Sequence, residues 1–248
     1  MDAAYPQTIG HEAVVQVERL GSSVKDLGYD FQPGDIIGAV SWHGMCLTCQ
    51  TCKTAGPQFC PQAQFKGFQI PGYFAEWSCV DAASAVLISR GNDLPREKIV
   101  SLSPMFCAGV TVWDALLKAQ EGSKTLTQTV AVVGAGGLGA LACKWGAALG
   151  MRIIALDVKD EQLAAVHGPT MAEEIINITK FGPMELIGEV MKLNHGMSLD
   201  AAIVASASVA AYQTGMSILK PTGTLVAVGQ PREPIPLIGA LLTHTSIK

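Results

Sequence analysis

The chain has 248 residues, of which 49% are hydrophobic and only 15% are charged, and its formal net charge is −4. This length and composition suffice to bury the core of one large domain or two modest ones. The sequence has no basic block, no signal-peptide pattern and no uncharged apolar run of about 18 residues, so neither nucleic acid nor a membrane is an expected partner.

The first part of the chain has the short alternating runs that predict β-strands. Strands are expected at Ala13–Val17 and Ile36–Val40, and further short strands are expected over residues 67–90. Residues 41–63 form a cysteine-rich loop between them. Beyond this part the apolar residues recur at three- and four-residue steps, which predicts helices. We therefore predict a β-rich domain over residues 1–105.

The loop at residues 41–63 carries four cysteines with the spacing C-x2-C-x2-C-x7-C. Four thiolates this close in sequence can close a tetrahedron around Zn²⁺ with no open position, so the pattern predicts a structural zinc site. The alternatives are two disulfides or free thiols, which fit the expected reducing cytoplasm less well. The four predicted ligands are Cys46, Cys49, Cys52 and Cys60. Cys79, in a predicted strand, and Cys143, on a predicted helix, are interpreted as core residues.

Residues 106–248 alternate helix and strand patterns at the rhythm of a doubly wound parallel sheet. Five strands are expected, at residues 130–133, 151–156, 175–178, 201–205 and 224–228. Five helices are expected, at residues 108–119, 138–149, 161–166, 184–193 and 209–219. The predicted fold class is therefore α/β, with a β-rich lobe followed by a parallel sheet that has helices on both faces.

One βαβ unit in this second region carries a glycine-rich turn. The apolar strand Val130–Val133 leads into the turn, a helix follows, and the next strand ends on Asp157. The glycines of its G-x-G-x-x-G motif are Gly134, Gly136 and Gly139. Such a turn lets a pyrophosphate approach the helix N-terminus, and an acidic residue about 20 positions on accepts hydrogen bonds from a ribose. The unit predicts dinucleotide binding; the alternative is a glycine-rich turn that binds nothing.

Six short motifs follow one another along the chain. They are Gly10-His11-Glu12, Pro33-Gly34-Asp35, the four-cysteine loop, Gly72–Glu76, Cys107–Thr111 and the glycine-rich turn. Together they resemble the zinc-containing medium-chain alcohol dehydrogenases, most like the yeast and fungal type, over essentially the whole chain. The resemblance implies a GroES-like lobe followed by a Rossmann domain that binds NAD. It also implies that a small alcohol and its aldehyde or ketone are interconverted by hydride transfer.

The resemblance implies roles for individual residues. His11 and Cys107 match ligands of a catalytic zinc, and Glu12 matches its acidic neighbour, a second-shell or transient ligand. Thr111 resembles the residue that lies against the nicotinamide, and Trp42 resembles an aromatic wall of the alcohol pocket. The further implied cofactor contacts are Gly134, Gly136, Gly137, Leu138, Gly139, Asp157 and Val228. In this class the zinc is a Lewis acid that lowers the pKa of the alcohol.

Two features depart from the family pattern. The family places another cysteine ligand, together with a hydroxyl and a histidine of a proton relay, before the G-H-E motif, and these are not in the sequence. Val15 stands where the family pattern has a glycine. We therefore expect weak alcohol turnover. The alternative function is a truncated, catalytically weak or inactive module that binds NAD and zinc.

The end of the sequence resembles the opening of a sixth strand of the nucleotide-binding sheet, at Ser246–Lys248. Family members form homo-oligomers through that strand. A sheet cut there is expected to expose an edge around Val226 and the apolar residues 237–242. A homo-oligomer is thus expected of the intact family but is not assured for this chain.

Overall fold

The computed structural model describes residues 6–91, 93–121, 128–236 and 245–248. The chain divides into two compact units, Met1–Cys107 and Ala108–Lys248. A small hydrophobic cluster lies in the first unit, and two larger clusters lie in the second. Each unit is therefore described by itself.

The N-terminal unit is built from short antiparallel strands. They are β1 (Ala13–Gln16), β2 (Ile36–Ala39), β3 (Trp42–His43), β4 (Gln64–Phe65) and β5 (Ala85–Ser89). Three of them form a sheet in the order β1-β2-β5, and β3 pairs with β4 separately. The helices are α1 (Gln50–Thr54) and α2 (Arg96–Ser101), with 3-10 turns at Pro57–Phe59, Ala82–Ser84 and Ser103–Phe106. All four residues of the central strand β2 are buried, so the sheet is assembled around that strand.

Residues 67–81 form turns instead of the predicted strands. The backbone there has an isolated bridge between Lys66 and Ile70, and the side chains of residues 74–79 are all exposed. A half-buried strand places alternate side chains on a buried and an exposed face. Residues 74–79 have no buried face, so nothing holds them in register against a neighbouring strand. Cys79 is exposed, so its interpretation as a core residue is wrong, whereas Cys143 is fully buried as expected.

The C-terminal unit alternates helices and strands throughout. Its strands are β6 (Thr129–Val133), β7 (Arg152–Asp157), β8 (Glu174–Asn177), β9 (Leu199–Val204), β10 (Leu219–Ala227) and β11 (Ser246–Ile247). Its helices are α3 (Ala108–Gln120), α4 (Gly137–Ala148), α5 (Asp160–Val166), α6 (Pro183–Leu193) and α7 (Val209–Ser217), with a 3-10 turn at Ile178–Lys180. The strands form one parallel sheet in the order β11-β10-β9-β6-β7-β8, as the helix–strand rhythm predicts.

The central strands of this sheet are buried on both faces. Val130 and Val132 of β6 point into the cluster shared with α3, α4 and α5, and Ala131 and Val133 point into the cluster shared with α6 and α7. This two-sided burial explains why the strand reads as a continuous apolar run. Within the described ranges, no single helix is long and apolar enough to cross a membrane, although α2 with its following turn and α3 would satisfy that test as a bent pair.

Strand β10 differs from the prediction in its first residue and in the pairing of its outer edge. It begins at Leu219, which the sequence pattern places in a helix, because Leu219 pairs with Leu199 before the register shifts at Thr224. Thr222 in the shifted segment has a positive φ of 70°. Its outer neighbour β11 pairs with Thr224 and Leu225, so the expected open edge at Val226 is wrong, and that side chain is buried. Residues 237–242 lie outside the described residues.

The buried carboxylate of Asp35 provides a stability test of the N-terminal unit. Its side chain is 4% exposed, and Arg90 Nη1 donates to it at 2.9 Å while also bonding the exposed Asp30 through Nη2. Arg90→Met should lower the free energy of unfolding by about 1–3 kcal/mol, because the buried carboxylate loses its charged partner and keeps the bond from Gln32 N. Denaturant unfolding of the parent chain and the variant measures this loss of stability.

The matched control is Lys180→Met. The ion pair of Lys180 with Asp160 is exposed on both sides, so this substitution should change the free energy of unfolding by no more than ~0.5 kcal/mol. Equal effects of the two substitutions would contradict the assignment.

Candidate metal centres and nucleotide turn

Two groups of side chains among the described residues converge as metal donors. In the first, the sulfur atoms of Cys46, Cys49, Cys52 and Cys60 all lie within 4.8 Å of one another. In a tetrahedral site with zinc–sulfur bonds of about 2.3 Å the sulfurs are roughly 3.8 Å apart. Cys46 Sγ lies 3.8 Å from Cys52 Sγ and 3.6 Å from Cys60 Sγ. These separations exceed the ~2.05 Å of a disulfide and fit a shared metal ion.

The local backbone turns its N–H groups toward this four-cysteine cluster. Cys49 N donates to Cys46 Sγ and Cys52 N donates to Cys49 Sγ, each at 3.4 Å, while Cys46 N donates to Cys60 Sγ at 3.5 Å. The second of these bonds also caps the start of α1, so the helix and the cluster form together. Hydrogen bonds of this kind favour thiolates over thiols.

The four thiols differ in acidity because of where they lie. Backbone N–H groups of Thr48 and Cys49 lower the pKa of Cys46 to about 6, and the backbone of Cys46 lowers the pKa of Cys60. Burial raises the pKa of Cys52 to about 12, with the hydrogen bonds of the other three cysteines adding to the rise. Four adjacent thiolates without a counter-ion repel one another, so ionising the whole set requires a cation at its centre. The donor set fits Zn²⁺.

The second group joins His11, Glu12 and Cys107, whose donor atoms also lie within 4.8 Å of one another. All three side chains are half-buried. The pKa of the Cys107 thiol is raised, first by burial and then by the charge and hydrogen bond of Glu12. The His11 ring packs against Phe68, with ring centroids 5.1 Å apart. The G-H-E motif and the cysteine, far apart in sequence, thus meet at one place in the N-terminal unit.

The His11 loop is held by a crossing of backbones. Thr8 O and Ile9 O accept hydrogen bonds from Gly72 N and Phe74 N, and Gly10 O accepts one from Tyr73 N at 3.0 Å. A side chain at Gly72 would bring its Cβ within 2.2 Å of Gly10 O. Gly10 itself has a φ of 97°, a conformation that favours glycine. Glycines therefore permit the close approach that aims His11 and Glu12 toward Cys107.

Two other residues singled out in the sequence also belong to the N-terminal unit. Val15, where the family pattern has glycine, is half-buried against Ala13, Ala39 and Tyr73, so its side chain finds room in the small hydrophobic cluster. Trp42 is half-buried in β3, and its carbonyl oxygen accepts a hydrogen bond from Ser84 Oγ.

The glycine-rich turn links β6 to α4 in the C-terminal unit. Gly134 has a φ of 98°, and a Cβ at Gly139 would lie 1.8 Å from Gly134 O, so the helix can begin this close to the strand only with glycine there. Gly136 and Gly137 face open space, and no side chain caps the helix at Gly136. The first N–H groups of α4 are therefore free to receive an anionic ligand, as a dinucleotide requires.

Asp157 closes the same turn from the end of β7. Its carboxylate accepts hydrogen bonds from Ala135 N at 2.6 Å, Val158 N at 2.7 Å and Lys159 N at 3.0 Å. Sequence reasoning gave this residue a ligand-binding role alone, and the structure adds a structural one. A carboxylate has about four acceptor sites, so lone-pair capacity remains for a ribose hydroxyl.

The other predicted cofactor residues occupy separate places in the C-terminal unit. Leu138 packs against the core, Thr111 is exposed in the first turn of α3, and Val228 N donates to Val204 O just beyond the ends of β9 and β10. The structure thus brings Gly134, Gly139 and Asp157 together directly. Sequence reasoning missed Gly38, which lies beside Phe106; a glycine in the middle of a buried strand was the available signal.

A β-rich lobe with a four-thiolate site, followed by a parallel sheet with a nucleotide-type turn, defines a zinc-binding dehydrogenase. The family model for the alcohol dehydrogenase GroES-like domain matches residues 1–90, and the model for zinc-binding dehydrogenases matches residues 137–248. The chain belongs to the zinc-binding medium-chain alcohol dehydrogenase family. The predicted GroES-like lobe and Rossmann-type sheet are confirmed.

Individual relatives support this assignment. Alcohol dehydrogenase 1 of Emericella nidulans is 30% identical, over 98% of this chain and 67% of that protein. The alcohol dehydrogenase of the hyperthermophilic archaeon Aeropyrum pernix superposes with a TM-score of 0.85 at 27% identity, covering 99% of this chain and 68% of that one. Galactitol-1-phosphate dehydrogenase of Escherichia coli gives a TM-score of 0.80 at 22% identity, with coverage of 99% and 68%, and shows the shared fold.

The four-cysteine cluster can be tested by removing its central sulfur. Cys46→Ser should release one zinc ion per chain and destabilise residues 41–63, because Cys46 Sγ contacts two of the other sulfurs and accepts a backbone N–H. Metal analysis of the purified variant measures the loss. Cys79→Ser is the matched control, since Cys79 is exposed and lies outside both donor groups, and it should keep all bound zinc. Unchanged zinc content in the Cys46 variant would show that the cluster is not a metal site.

Proposed function

We propose that the chain interconverts a small alcohol and its aldehyde or ketone, with NAD as the hydride carrier and a second zinc ion at the substrate. The observation that carries this proposal is the convergence of the donor atoms of His11, Glu12 and Cys107 within 4.8 Å. One nitrogen, one oxygen and one sulfur donor make three protein ligands, the number that catalytic zinc sites use when they leave a position open. By contrast, the four-cysteine cluster supplies a complete shell and is proposed to be structural.

The proposed catalytic donors suit a zinc ion in chemistry and in spacing. Bonds of about 2.0–2.3 Å place tetrahedral donors roughly 3.5 Å apart, so donors within 4.8 Å need only small side-chain rotations to close around the ion. Bound zinc would supply a Lewis acid that polarises the substrate oxygen. Burial and then the charge and hydrogen bond of Glu12 raise the pKa of the Cys107 thiol, so the thiol would lose its proton only when a cation binds beside it. The three side chains would thus hold the ion, and their half-buried positions restrict water around it.

For the cofactor, the proposal rests on the turn between β6 and α4. The unobstructed Gly136 and Gly137 and the uncapped start of α4 would receive the pyrophosphate, and Asp157 would receive the adenosine ribose. The remaining contacts that we propose are Gly134, Leu138, Gly139, Val228 and, toward the nicotinamide, Thr111. NAD, when bound, supplies the hydride acceptor. A reducing, cytoplasmic setting is proposed for this chemistry, because a zinc site of four thiolates requires cysteines that stay reduced.

The alternative, a module that binds zinc and NAD without appreciable turnover, is favoured by one feature of the site. The G-H-E loop and Cys107 provide one nitrogen, one oxygen and one sulfur donor, a mixed set that binds zinc less tightly than two thiolates and an imidazole would. Metal content and turnover together separate the two functions.

The catalytic site is tested by Cys107→Ser. The parent chain, reconstituted with zinc, should hold two zinc ions, and the variant should hold one, because two remaining protein donors bind zinc weakly. Any alcohol-dependent NAD reduction by the parent should fall by ~10²-fold or more in the variant, since positioning of the substrate oxygen is lost. Cys79→Ser again serves as the control for loss of a thiol. Two zinc ions and bound NAD with no turnover on a panel of short alcohols would support the non-catalytic module instead.

Cofactor selection is tested by measuring the dissociation constants of NAD and NADP. The carboxylate of Asp157 should repel a 2′-phosphate, so we expect NAD to bind at least ~10-fold more tightly, a difference of about 1.4 kcal/mol. In Asp157→Asn the ratio should shrink, because the charge is removed while an amide oxygen can still accept from Ala135 N. Equal affinities of the parent for both cofactors would overturn the assignment of Asp157.

A further inference from the structure

Gly38 lies in the middle of β2, opposite Val14 on one side and Val86 on the other. A Cβ built at Gly38 would lie 1.7 Å from Cζ of Phe106 and 2.1 and 2.2 Å from the two neighbouring ring carbons. The edge of the Phe106 ring thus fills the space that any other residue at position 38 would use for its side chain.

This contact touches both parts of the proposed catalytic site. Phe106 directly precedes Cys107 and ends the 3-10 turn Ser103–Phe106, which packs against β1 and β2. On the other side, β1 begins directly after Glu12, and its residue Val14 is the strand partner of Gly38. Gly38 therefore contacts both the segment that carries Cys107, through Phe106, and the segment that carries His11 and Glu12, through Val14.

We propose that the Gly38–Phe106 contact is a positioning element that sets the separation between the Cys107 thiolate and the His11 and Glu12 donors. This inference rests on the proposed metal site at those three residues. Gly38 and Phe106 act through Cys107 and do not themselves donate to the ion.

The distances show why the contact matters for metal binding. Non-bonded carbon atoms settle at about 3.5–4.0 Å, so a methyl group at position 38 would displace the ring by roughly 2 Å. Donor distances at a metal site must hold within about 0.2 Å. If even one tenth of the ring displacement is passed through the backbone to Cys107, the donor distances already change by as much as the site tolerates.

The test compares Gly38→Ala with the matched control Gly188→Ala. The control makes the same chemical change on α6, where an added Cβ meets no atom within 4 Å. Both variants and the parent are loaded with Co²⁺ at the His11, Glu12 and Cys107 site. The visible absorption spectrum of that ion and its rate of release to a chelator are then recorded, with the four-cysteine zinc measured as an internal reference. Gly38→Ala should release the ion at least ~10-fold faster with an altered spectrum, whereas the control and the four-cysteine zinc should be unchanged.

A compensating substitution separates positioning from general destabilisation. In the double variant Gly38→Ala/Phe106→Leu the shorter side chain leaves room for the new methyl group, so the release rate and spectrum should return toward those of the parent. If Gly38→Ala does not fold, Phe106→Ala carries the test, because it removes the ring while leaving the strand intact, and it should also speed release.

The outcomes distinguish this inference from the function on which it rests. Parent-like spectra and release rates in folded Gly38→Ala, or in Phe106→Ala where the first variant does not fold, would overturn the positioning role while leaving the metal site in place. A parent chain whose second ion is absent, or is unaffected by Cys107→Ser, would overturn the proposed function and this inference with it.

Discussion

The close approach of backbone to backbone, and of ring to backbone, at a few glycines is the constraint on which both units depend. In the N-terminal unit, Gly10 O lies where a side chain on Gly72 would have to be, and in the C-terminal unit Gly134 O stands in the same relation to Gly139. In each case the contact brings together segments that carry the functional groups. The apolar core could form with larger residues nearby, but the loops could not then cross at these distances. Because glycine has no side chain, these glycines allow the donors and the helix N-terminus to take their observed positions.

The two donor clusters are stabilised in different ways, and the difference follows from how they are built. The four-cysteine cluster lies within one short loop, and its own backbone N–H groups lower the pKa of Cys46 and Cys60. The second cluster needs the fold of the whole N-terminal unit to bring Cys107 to His11 and Glu12, and there burial and then the neighbouring carboxylate raise the pKa of the Cys107 thiol. Four donors from one loop, two of them with lowered pKa values, suit a permanent structural ion. A mixed cluster assembled by tertiary contacts is more sensitive to small movements of the chain.

Local patterns made much of this predictable from the sequence. The spacing of the four cysteines and the β6–α4–β7 pattern are short-range features, and both are found where expected. Cys79 was wrongly assigned to the core because a short apolar run cannot show which of its faces is covered. The early start of β10 was missed because its pairing of Leu219 with Leu199 depends on another strand. The packing of Phe106 on Gly38 likewise joins distant segments: a glycine in a buried strand signals a close approach, but the sequence does not show which residue fills the space.

The three backbone hydrogen bonds accepted by Asp157 have a consequence for engineering the chain. Asp157, whose charge we propose to govern cofactor choice, also anchors the turn that precedes α4, because Ala135 N, Val158 N and Lys159 N all donate to it. A substitution that removes the acceptor to admit a phosphate also leaves three amide protons to find new partners, and the turn loses order. A redesign toward a phosphorylated cofactor is therefore better made at the neighbouring positions, where the exposed side chains of Val158 and Lys159 can change without disturbing the backbone.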